Sequence, residues 1–159
     1  MTEREGNTFL SVKDVMTSEV VKIDGNATIM EAAKLMNKHD IGCLIVVEKG
    51  KIHGILTERD LLKRVVARAK DSSKMRVRDA MTSPLIVAEP TMDLGEAVRL
   101  MFQMKIKKLP VVKDKRLIGL VSLTDIARYQ PQMIGLIKQI ATSFDTPKNM
   151  LKVVARYVV

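Results

Sequence analysis

The chain repeats itself, and this repeat limits what it can fold into. Sliding the sequence by 65 residues places the segment from Val12 to Leu62 on the segment from Val77 to Ala127 without a gap. Identical residues and a shared hydrophobic pattern coincide over roughly fifty positions, which is a strong signal for a duplicated structural unit. Neither copy is expected to bury its apolar faces alone, so we expect the two copies to share one core.

Each copy has the same order of predicted elements. An extended piece, VVKI or LIVA, precedes a helix that fits a capping box, with Thr28 or Asp93 as N-cap and Glu31 or Glu96 three residues later. Two β-rich runs follow, joined by the hairpin-like turns EKGK and KDKR, and a second helix begins at the end of GILT or GLVS. The predicted fold is therefore α+β: tandem β-α-β-β-α repeats packed sheet to sheet with pseudo-two-fold symmetry, plus a C-terminal helical extension.

The repeat also predicts the domain limits. The first repeat covers residues 10–69, the second covers 70–130, and the extension covers 131–159. The extension is expected to hold two amphipathic helices, one in QMIGLIKQIA and one in DTPKNMLKVVARYVV, where Pro147 suits the first helical position. These helices are either extra cover for the core or a surface for a dimer or another partner, and the sequence leaves both interpretations open.

Composition and net charge limit the kinds of binding partner that we expect. Lys and Arg number 27 against 18 acids, a net charge of +9, which favours nucleotide phosphates, nucleic acid or an acidic protein without choosing among them. Aromatic residues are only 3% of the chain, so the core must be aliphatic and a bound base would lie between aliphatic side chains. The polar N-terminus does not resemble a signal peptide, and no apolar run reaches the roughly 18 residues of a membrane span. We therefore expect a cytoplasmic protein that does not enter membranes.

The sequence offers little for catalysis or metal binding. The single cysteine, Cys43, lies in the apolar run IGCLIVV and is expected to be a buried thiol. His39 and His53 fall in different elements of one repeat, without a carboxylate cluster at ligand spacing. No nucleophile–base pair and no paired carboxylates at catalytic spacing stand out. The prediction is a protein that is not an enzyme and has no metal site.

Three stretches in each copy carry a family resemblance. Over about residues 10–130 the chain resembles the CBS domain pair, or Bateman module. The resemblance is carried by the openings VMTS and AMTS, the middles IGCLIVV and IKKLPVV, and the closings GILTERD and GLVSLTD. Within that family the chain is similar to stand-alone proteins of archaea and bacteria. The resemblance implies a disc of two intertwined repeats, with two clefts that hold AMP, ADP, ATP or S-adenosylmethionine, and it implies homodimers.

The closing motif GILTERD can be interpreted in two ways. As a ligand site, Asp60 would accept hydrogen bonds from the ribose diol, Thr57 would offer a hydroxyl at a helix N-terminus that favours phosphate, and Gly54 would permit close backbone approach. As a helix cap, Thr57 and Asp60 would stabilise the helix start by about 1 kcal/mol without any ligand. The two roles need not exclude each other, and the duplication favours the ligand site.

The resemblance makes each site composite, because the closing motif of one repeat faces the opening and middle segments of the other. Site A is predicted to comprise Gly54, Thr57, Arg59, Asp60, Thr82, Leu85, Ile86, Ile106 and Lys107. Site B is predicted to comprise Thr17, Val20, Val21, Ile41, Gly42, Gly119, Ser122, Thr124 and Asp125. Site A gathers more cations and is expected to prefer charged phosphates, although Lys107 and Lys108 could equally form a solvated edge.

The function predicted from the resemblance is a regulatory module that senses an adenosine ligand and signals in trans to an unknown effector protein. It needs no obligatory cofactor, and the ligand is an adenosine nucleotide, with or without magnesium, or S-adenosylmethionine. Two alternatives remain open. One is a basic protein that binds nucleic acid, supported by the charge and by RVVARAKDSSKMRVRD but by no recognised motif. The other is a structural CBS scaffold with empty clefts.

Overall fold

A computed structural model gives the structure of the chain and describes residues 10–143. The chain divides into two compact units. The continuous unit runs over Glu19–Ile86, and the split unit joins Met1–Ser18 to Val87–Val159. The domain limits predicted from the repeat follow the sequence and stay a prediction, since each compact unit combines most of one repeat with the opening segment of the other.

The described residues contain both helices and strands, which confirms the predicted mixed α and β class. The strands are β1 Lys22–Asp24, β2 Cys43–Glu48, β3 Lys51–Thr57, β4 Lys108–Lys113 and β5 Arg116–Ser122. The helices are α1 Val12–Val15, α2 Ile29–His39, α3 Glu58–Asp60, α4 Val77–Ala80, α5 Leu94–Met104, α6 Leu123–Tyr129 and α7 Met133–Ser143. Helix α3 continues through a π-helical turn, Leu61–Val65, and a 3₁₀ turn, Val66–Arg68.

The sheets of the two units differ by one strand. In the continuous unit β1 pairs parallel to β2, and β2 pairs antiparallel to β3. In the split unit β4 pairs antiparallel to β5, but the strand expected in LIVA is reduced to a single parallel bridge between Ala88 and Val111. Pro110 explains the loss, because it stands where the first copy has Ile45, whose N–H donates to the Val21 carbonyl at 3.1 Å. Proline has no N–H to make that bond.

Both predicted hairpin turns are confirmed. Lys49 and Gly50 connect β2 to β3 with φ values of 49° and 73°, and Asp114 and Lys115 connect β4 to β5 with φ values of 50° and 62°. Two successive residues with positive φ are typical of the type I′ turn, whose twist matches that of the flanking strands. Glycine fits this backbone better than lysine does, so the second hairpin is the more strained of the two.

The helix caps follow the sequence with one difference. At α2 the Thr28 hydroxyl accepts from the Glu31 amide at 3.2 Å, while the Glu31 carboxylate accepts from the Thr28 amide at 2.6 Å. These bonds confirm the capping box, and the backbone bond from Thr28, together with the bond from its hydroxyl, lowers the pKa of Glu31. At α5 Asp93 is the N-cap, but its carboxylate accepts from the amides of both Gly95 and Glu96. Helix α5 is therefore capped without a reciprocal bond from the Asp93 amide to the Glu96 carboxylate.

The core is aliphatic, as the composition predicts. In the continuous unit the buried cluster consists of Ile23, Ile29, Ala32, Met36, Leu44, Val46, Leu56, Val65, Val77 and Ala80. Cys43 is buried in β2, in agreement with its place in an apolar run. No buried core residue between 10 and 143 is aromatic.

Part of the C-terminal extension covers the core of the split unit. Helix α7 packs against α5 and α6 and buries Ile137, Ile140 and Ala141. This contact supports the core-cover interpretation for the first predicted helix of the extension. The second predicted helix, in DTPKNMLKVVARYVV, lies outside the described residues, so a partner surface in the extension stays a prediction.

Close backbone approach explains two glycines at matching positions. In the continuous unit Ile55 and Thr82 exchange backbone hydrogen bonds of 3.1 and 2.8 Å, and a Cβ on the neighbouring Gly54 would lie 2.7 Å from the Thr82 carbonyl oxygen. In the split unit Thr17 and Leu120 exchange bonds of 2.8 and 2.9 Å. There, a Cβ on Gly119 would lie 2.8 Å from the carbonyl oxygen of Thr17. Each opening segment can therefore pair with its strand only where that strand carries glycine.

Replacing either of these glycines by alanine should destabilise the protein. We expect Gly54→Ala and Gly119→Ala to cost about 1–3 kcal/mol each in the free energy of unfolding, because the added methyl group meets backbone atoms that cannot move away freely. Gly135→Ala is the matched control, since Gly135 lies in α7 with no atom within 4 Å of an added Cβ. That change should stabilise by about 0.5–1 kcal/mol through helix propensity. Chemical denaturation measures all three, and equal effects at the three glycines would contradict the close-approach explanation.

The capping box of α2 should also give a pH signature. Because the pKa of Glu31 is lowered in the folded state, its carboxylate contributes stability above the ordinary pKa of glutamate. That contribution disappears as the pH falls through the lowered value. Glu31→Gln should therefore reduce stability at about pH 7, and this cost should shrink as the pH falls below the ordinary pKa of glutamate. Denaturation curves of Glu31→Gln and of the matched variant Glu96→Gln measure the difference. An equal pH dependence of the two variants would show that the box at α2 is not the cause.

Candidate functional site

The closing motif of the first copy places Asp60 at the start of α3. Its Oδ2 accepts from the amide of Thr57 at 2.9 Å and from the hydroxyl of Thr57 at 3.0 Å. The Thr57 hydroxyl in turn accepts from the Asp60 amide at 3.2 Å, which completes a capping box. The structural interpretation of Thr57 and Asp60 as a helix cap is therefore confirmed in the continuous unit.

The second oxygen of Asp60 faces the opening segment of the second repeat. Oδ1 accepts from the hydroxyl of Thr82 at 3.1 Å and lies 3.5 Å from Nη1 of Arg64. The same Nη1 donates to the carbonyls of Ala80 at 2.8 Å and of Met81 at 2.6 Å. Asp60 is only 8% exposed and is the one buried charged side chain between residues 10 and 143. These partners offset the cost of burying its charge.

The closing motif of the second copy forms the same kind of helix cap, but its carboxylate has different neighbours. Oδ2 of Asp125 accepts from the amide of Ser122 at 3.1 Å and from the hydroxyl of Ser122 at 2.6 Å. The residue that corresponds to Arg64 is Tyr129, which offers no guanidinium and is exposed. Asp125 is half-buried, and Thr17, the counterpart of Thr82, is exposed in the same unit. The Asp125 carboxylate is therefore more accessible than that of Asp60.

Part of each predicted site lies within a single compact unit. In the continuous unit the site A residues are Gly54, Thr57, Arg59, Asp60, Thr82, Leu85 and Ile86. In the split unit the site B residues are Thr17, Gly119, Ser122, Thr124 and Asp125. The remaining predicted members belong in each case to the opposite unit. They are Ile106 and Lys107 for site A, and Val20, Val21, Ile41 and Gly42 for site B. Their membership of those sites stays a prediction.

Each middle segment contacts the closing motif of its own copy. The Gly42 carbonyl accepts from the Glu58 amide at 3.0 Å, at the start of α3. The Lys107 carbonyl accepts from the Leu123 amide at 2.9 Å, at the start of α6. Gly42 therefore lies beside the helix start that carries Asp60, and Lys107 lies beside the helix start that carries Asp125. Lys107 therefore belongs to the same unit as Asp125, whereas Arg64 belongs to the same unit as Asp60.

Arg64 is the residue that the sequence analysis missed. It lies four residues after Asp60, the spacing at which an acid and a base meet on a helix, so the sequence contained a usable signal. In the sequence, Arg64 stands out only as the first residue of the basic stretch RVVARAKDSSKMRVRD. The contacts of Arg64 with the carbonyls of Ala80 and Met81 connect positions far apart in sequence, and no local pattern predicts them.

The residues between 10 and 143 also bear on metal binding and membrane insertion. Between residues 10 and 143, His, Cys, Asp and Glu side chains form no group of three or more that could hold a metal ion. No helix in that range is both long and apolar enough to cross a membrane. The carboxylates of Asp60 and Asp125, at the starts of α3 and α6, are suited to accept hydrogen bonds from hydroxyl groups of a ligand.

The two carboxylates should differ in their importance for folding. Asp60→Asn should cost about 1.5–3 kcal/mol, because hydrogen bonds to a charged group are lost at a buried position. Asp125→Asn should cost less, because Asp125 is half-buried and, within residues 10–143, its carboxylate accepts hydrogen bonds from Ser122 alone. Urea denaturation of the two variants provides the comparison. A larger cost for Asp125→Asn would contradict the network built around Asp60.

Comparison with known proteins identifies the duplicated unit. The CBS domain family model matches residues 12–67 and 77–132. The CBS domain-containing protein YhcV of Bacillus subtilis is 42% identical over 117 residues, which cover 74% of this chain and 83% of the relative. These two matches span most of the described residues and both copies of the repeat.

Solved structures agree with this match. The CBS domain pair of protein MJ0100, in complex with 5′-methylthioadenosine and S-adenosyl-L-methionine, aligns with a TM-score of 0.70 and 32% identity, covering 78% of this chain and 98% of that one. A hexameric CBS-CP12 protein from bloom-forming cyanobacteria aligns with a TM-score of 0.71 and 28% identity, covering 94% of each chain. With two copies of the family model in one chain and this likeness to solved domain pairs, the protein belongs to the CBS domain family as a CBS domain pair.

Proposed function

We propose that this CBS domain pair, a regulatory module by family, binds adenosine ligands at the closing motifs that carry Asp60 and Asp125. The observation that carries the proposal is the solved CBS pair, 32% identical to this chain, that holds 5′-methylthioadenosine and S-adenosyl-L-methionine. Both of those ligands contain a ribose diol. A carboxylate at a helix start can accept hydrogen bonds from both hydroxyls of a diol.

The local chemistry of each unit supports this ligand class. Thr57 and Ser122 place hydroxyls at helix N-termini, and Thr82 and Thr17 bring a second hydroxyl into the same unit. The aliphatic composition suits a base held between Val, Ile and Leu side chains rather than stacked on aromatic rings. The charge of +9 favours anionic members of the class, namely AMP, ADP and ATP.

The regulatory output follows from the physics of coupling. A ligand shifts a protein between arrangements only if it binds one of them better, so the signal must reside in a change that a partner can recognise. We propose that the partner is an effector protein acting in trans, and that the chain itself acts as a homodimer without catalysing a reaction. A hexameric assembly of a similar CBS protein supports self-association within this group of structures.

A thermal-shift screen tests the ligand class directly. Adenosine, 5′-methylthioadenosine, AMP, ATP and S-adenosylmethionine are added to the folded protein, with guanosine and cytidine monophosphate as controls. A ligand at roughly 100 times its Kd should stabilise the folded state by about 2.7 kcal/mol, which raises the melting temperature by several degrees. The double variant Asp60→Asn with Asp125→Asn should lose the shift.

Two results would contradict the proposal. One is the absence of a shift with every adenosine compound while the protein melts cooperatively, which would favour a scaffold without ligand. The other is a shift that persists undiminished in the double variant, which would move the binding site away from the closing motifs. An equal response to guanosine and adenosine compounds would remove the base preference and leave only a general nucleoside site.

A further inference from the structure

The Asp60 carboxylate already has as many partners as it can accommodate. A carboxylate offers about four lone-pair positions. In the continuous unit these face the Thr57 amide, the Thr57 hydroxyl, the Thr82 hydroxyl and the Arg64 guanidinium. A ribose diol that approaches Asp60 must therefore displace a partner, because no acceptor position remains unused.

The displaced partners cannot withdraw easily. Thr82 is held in place by its backbone exchange with Ile55, so its hydroxyl stays near the Asp60 carboxylate. Arg64 is anchored by two backbone carbonyls, those of Ala80 and Met81. A diol would exchange existing hydrogen bonds for new ones of the same kind, and an exchange of this kind contributes little net binding free energy.

The Asp125 carboxylate differs in both respects. Within residues 10–143, this carboxylate accepts hydrogen bonds only from the amide and the hydroxyl of Ser122, and both go to Oδ2. Tyr129 replaces the arginine, and the structure gives no bond from the exposed Thr17 hydroxyl to Oδ1 of Asp125. Here the diol adds hydrogen bonds to a partly solvated charged group rather than replacing internal ones.

We infer that Arg64 and Thr82 make the two sites unequal, because their contacts with the Asp60 carboxylate prevent an uncharged ribose diol from binding to it. Adenosine then binds at the copy that carries Asp125 and much more weakly at the copy that carries Asp60. This inference rests on the proposed function, and it assigns unequal roles to two motifs that the sequence makes look equivalent. The expected difference in affinity is roughly tenfold to a hundredfold, the value of one hydrogen bond to a charged group.

Calorimetry with adenosine as the probe tests the inference. The wild-type protein should bind about one adenosine per chain with measurable heat, and Asp125→Asn should weaken that binding by roughly tenfold or more. In the Asp125→Asn background, Arg64→Met should restore binding by opening the Asp60 carboxylate. Adding Asp60→Asn to that variant should remove the restored binding.

Thr82→Val provides a second route if Arg64→Met does not fold. Valine matches threonine in shape and removes only the hydroxyl that donates to Asp60. In the Asp125→Asn background it should also restore adenosine binding, to a smaller extent than Arg64→Met. Thermal melting of every variant establishes that binding is compared between folded proteins.

The outcomes separate this inference from the proposed function. If adenosine binds the wild type at two equal sites, or if neither Arg64→Met nor Thr82→Val restores binding, the inference is overturned while the ligand class stands. If no adenosine compound binds the wild type, Arg64→Met or Thr82→Val, the proposed function fails and the inference fails with it. Binding in the wild type that depends on Asp125 and is regained through Arg64 supports both.

Discussion

The pairing of each opening segment with the last strand of the other repeat is the interaction on which the rest of the structure depends. Ile55 pairs with Thr82 in one unit, and Thr17 pairs with Leu120 in the other. Because of this exchange, neither compact unit can form from one repeat alone. In the continuous unit the exchange also places the Thr82 hydroxyl 3.1 Å from the Asp60 carboxylate, so the same contact that builds the fold supplies part of the candidate site.

Much of this architecture was predictable because duplication turns weak local signals into strong ones. A single Thr-x-x-Asp is an ordinary helix cap, but its recurrence after an identical series of elements indicates a shared design. The helix starts at Thr28, Thr57 and Ser122 and both hairpin turns followed from local chemistry that the sequence displays directly. Glycines at matching positions of the two closing motifs also predicted a close approach, and the partner turned out to be the chain's own backbone.

What the sequence did not reveal depends on where the two copies have diverged. Pro110 in place of Ile45 removes one donor and reduces a predicted strand to a bridge, a loss that a strand-length pattern of apolar residues conceals. Arg64, whose counterpart in the second copy is Tyr129, adds an ion-pair partner to the buried Asp60 carboxylate. The carbonyls that hold Arg64 in this position are far away in sequence. Such effects arise from tertiary contacts between single residues, which a hydrophobic pattern shared by both copies cannot distinguish.

The closing-motif carboxylates of the two copies share a capping role but differ in their other contacts. Capping uses the same oxygen, Oδ2, in Asp60 and in Asp125, and this use is compatible with a ligand at the other oxygen. The two copies differ at Oδ1, whose partners in the continuous unit are Thr82 and Arg64, two residues outside the closing motif. Oδ1 of Asp60 contacts Thr82 and Arg64, and these contacts hold the opening segment in place. Asp125 is more exposed and makes fewer internal hydrogen bonds. A duplicated motif can in this way divide two roles, one copy holding the fold together and the other remaining available to a ligand.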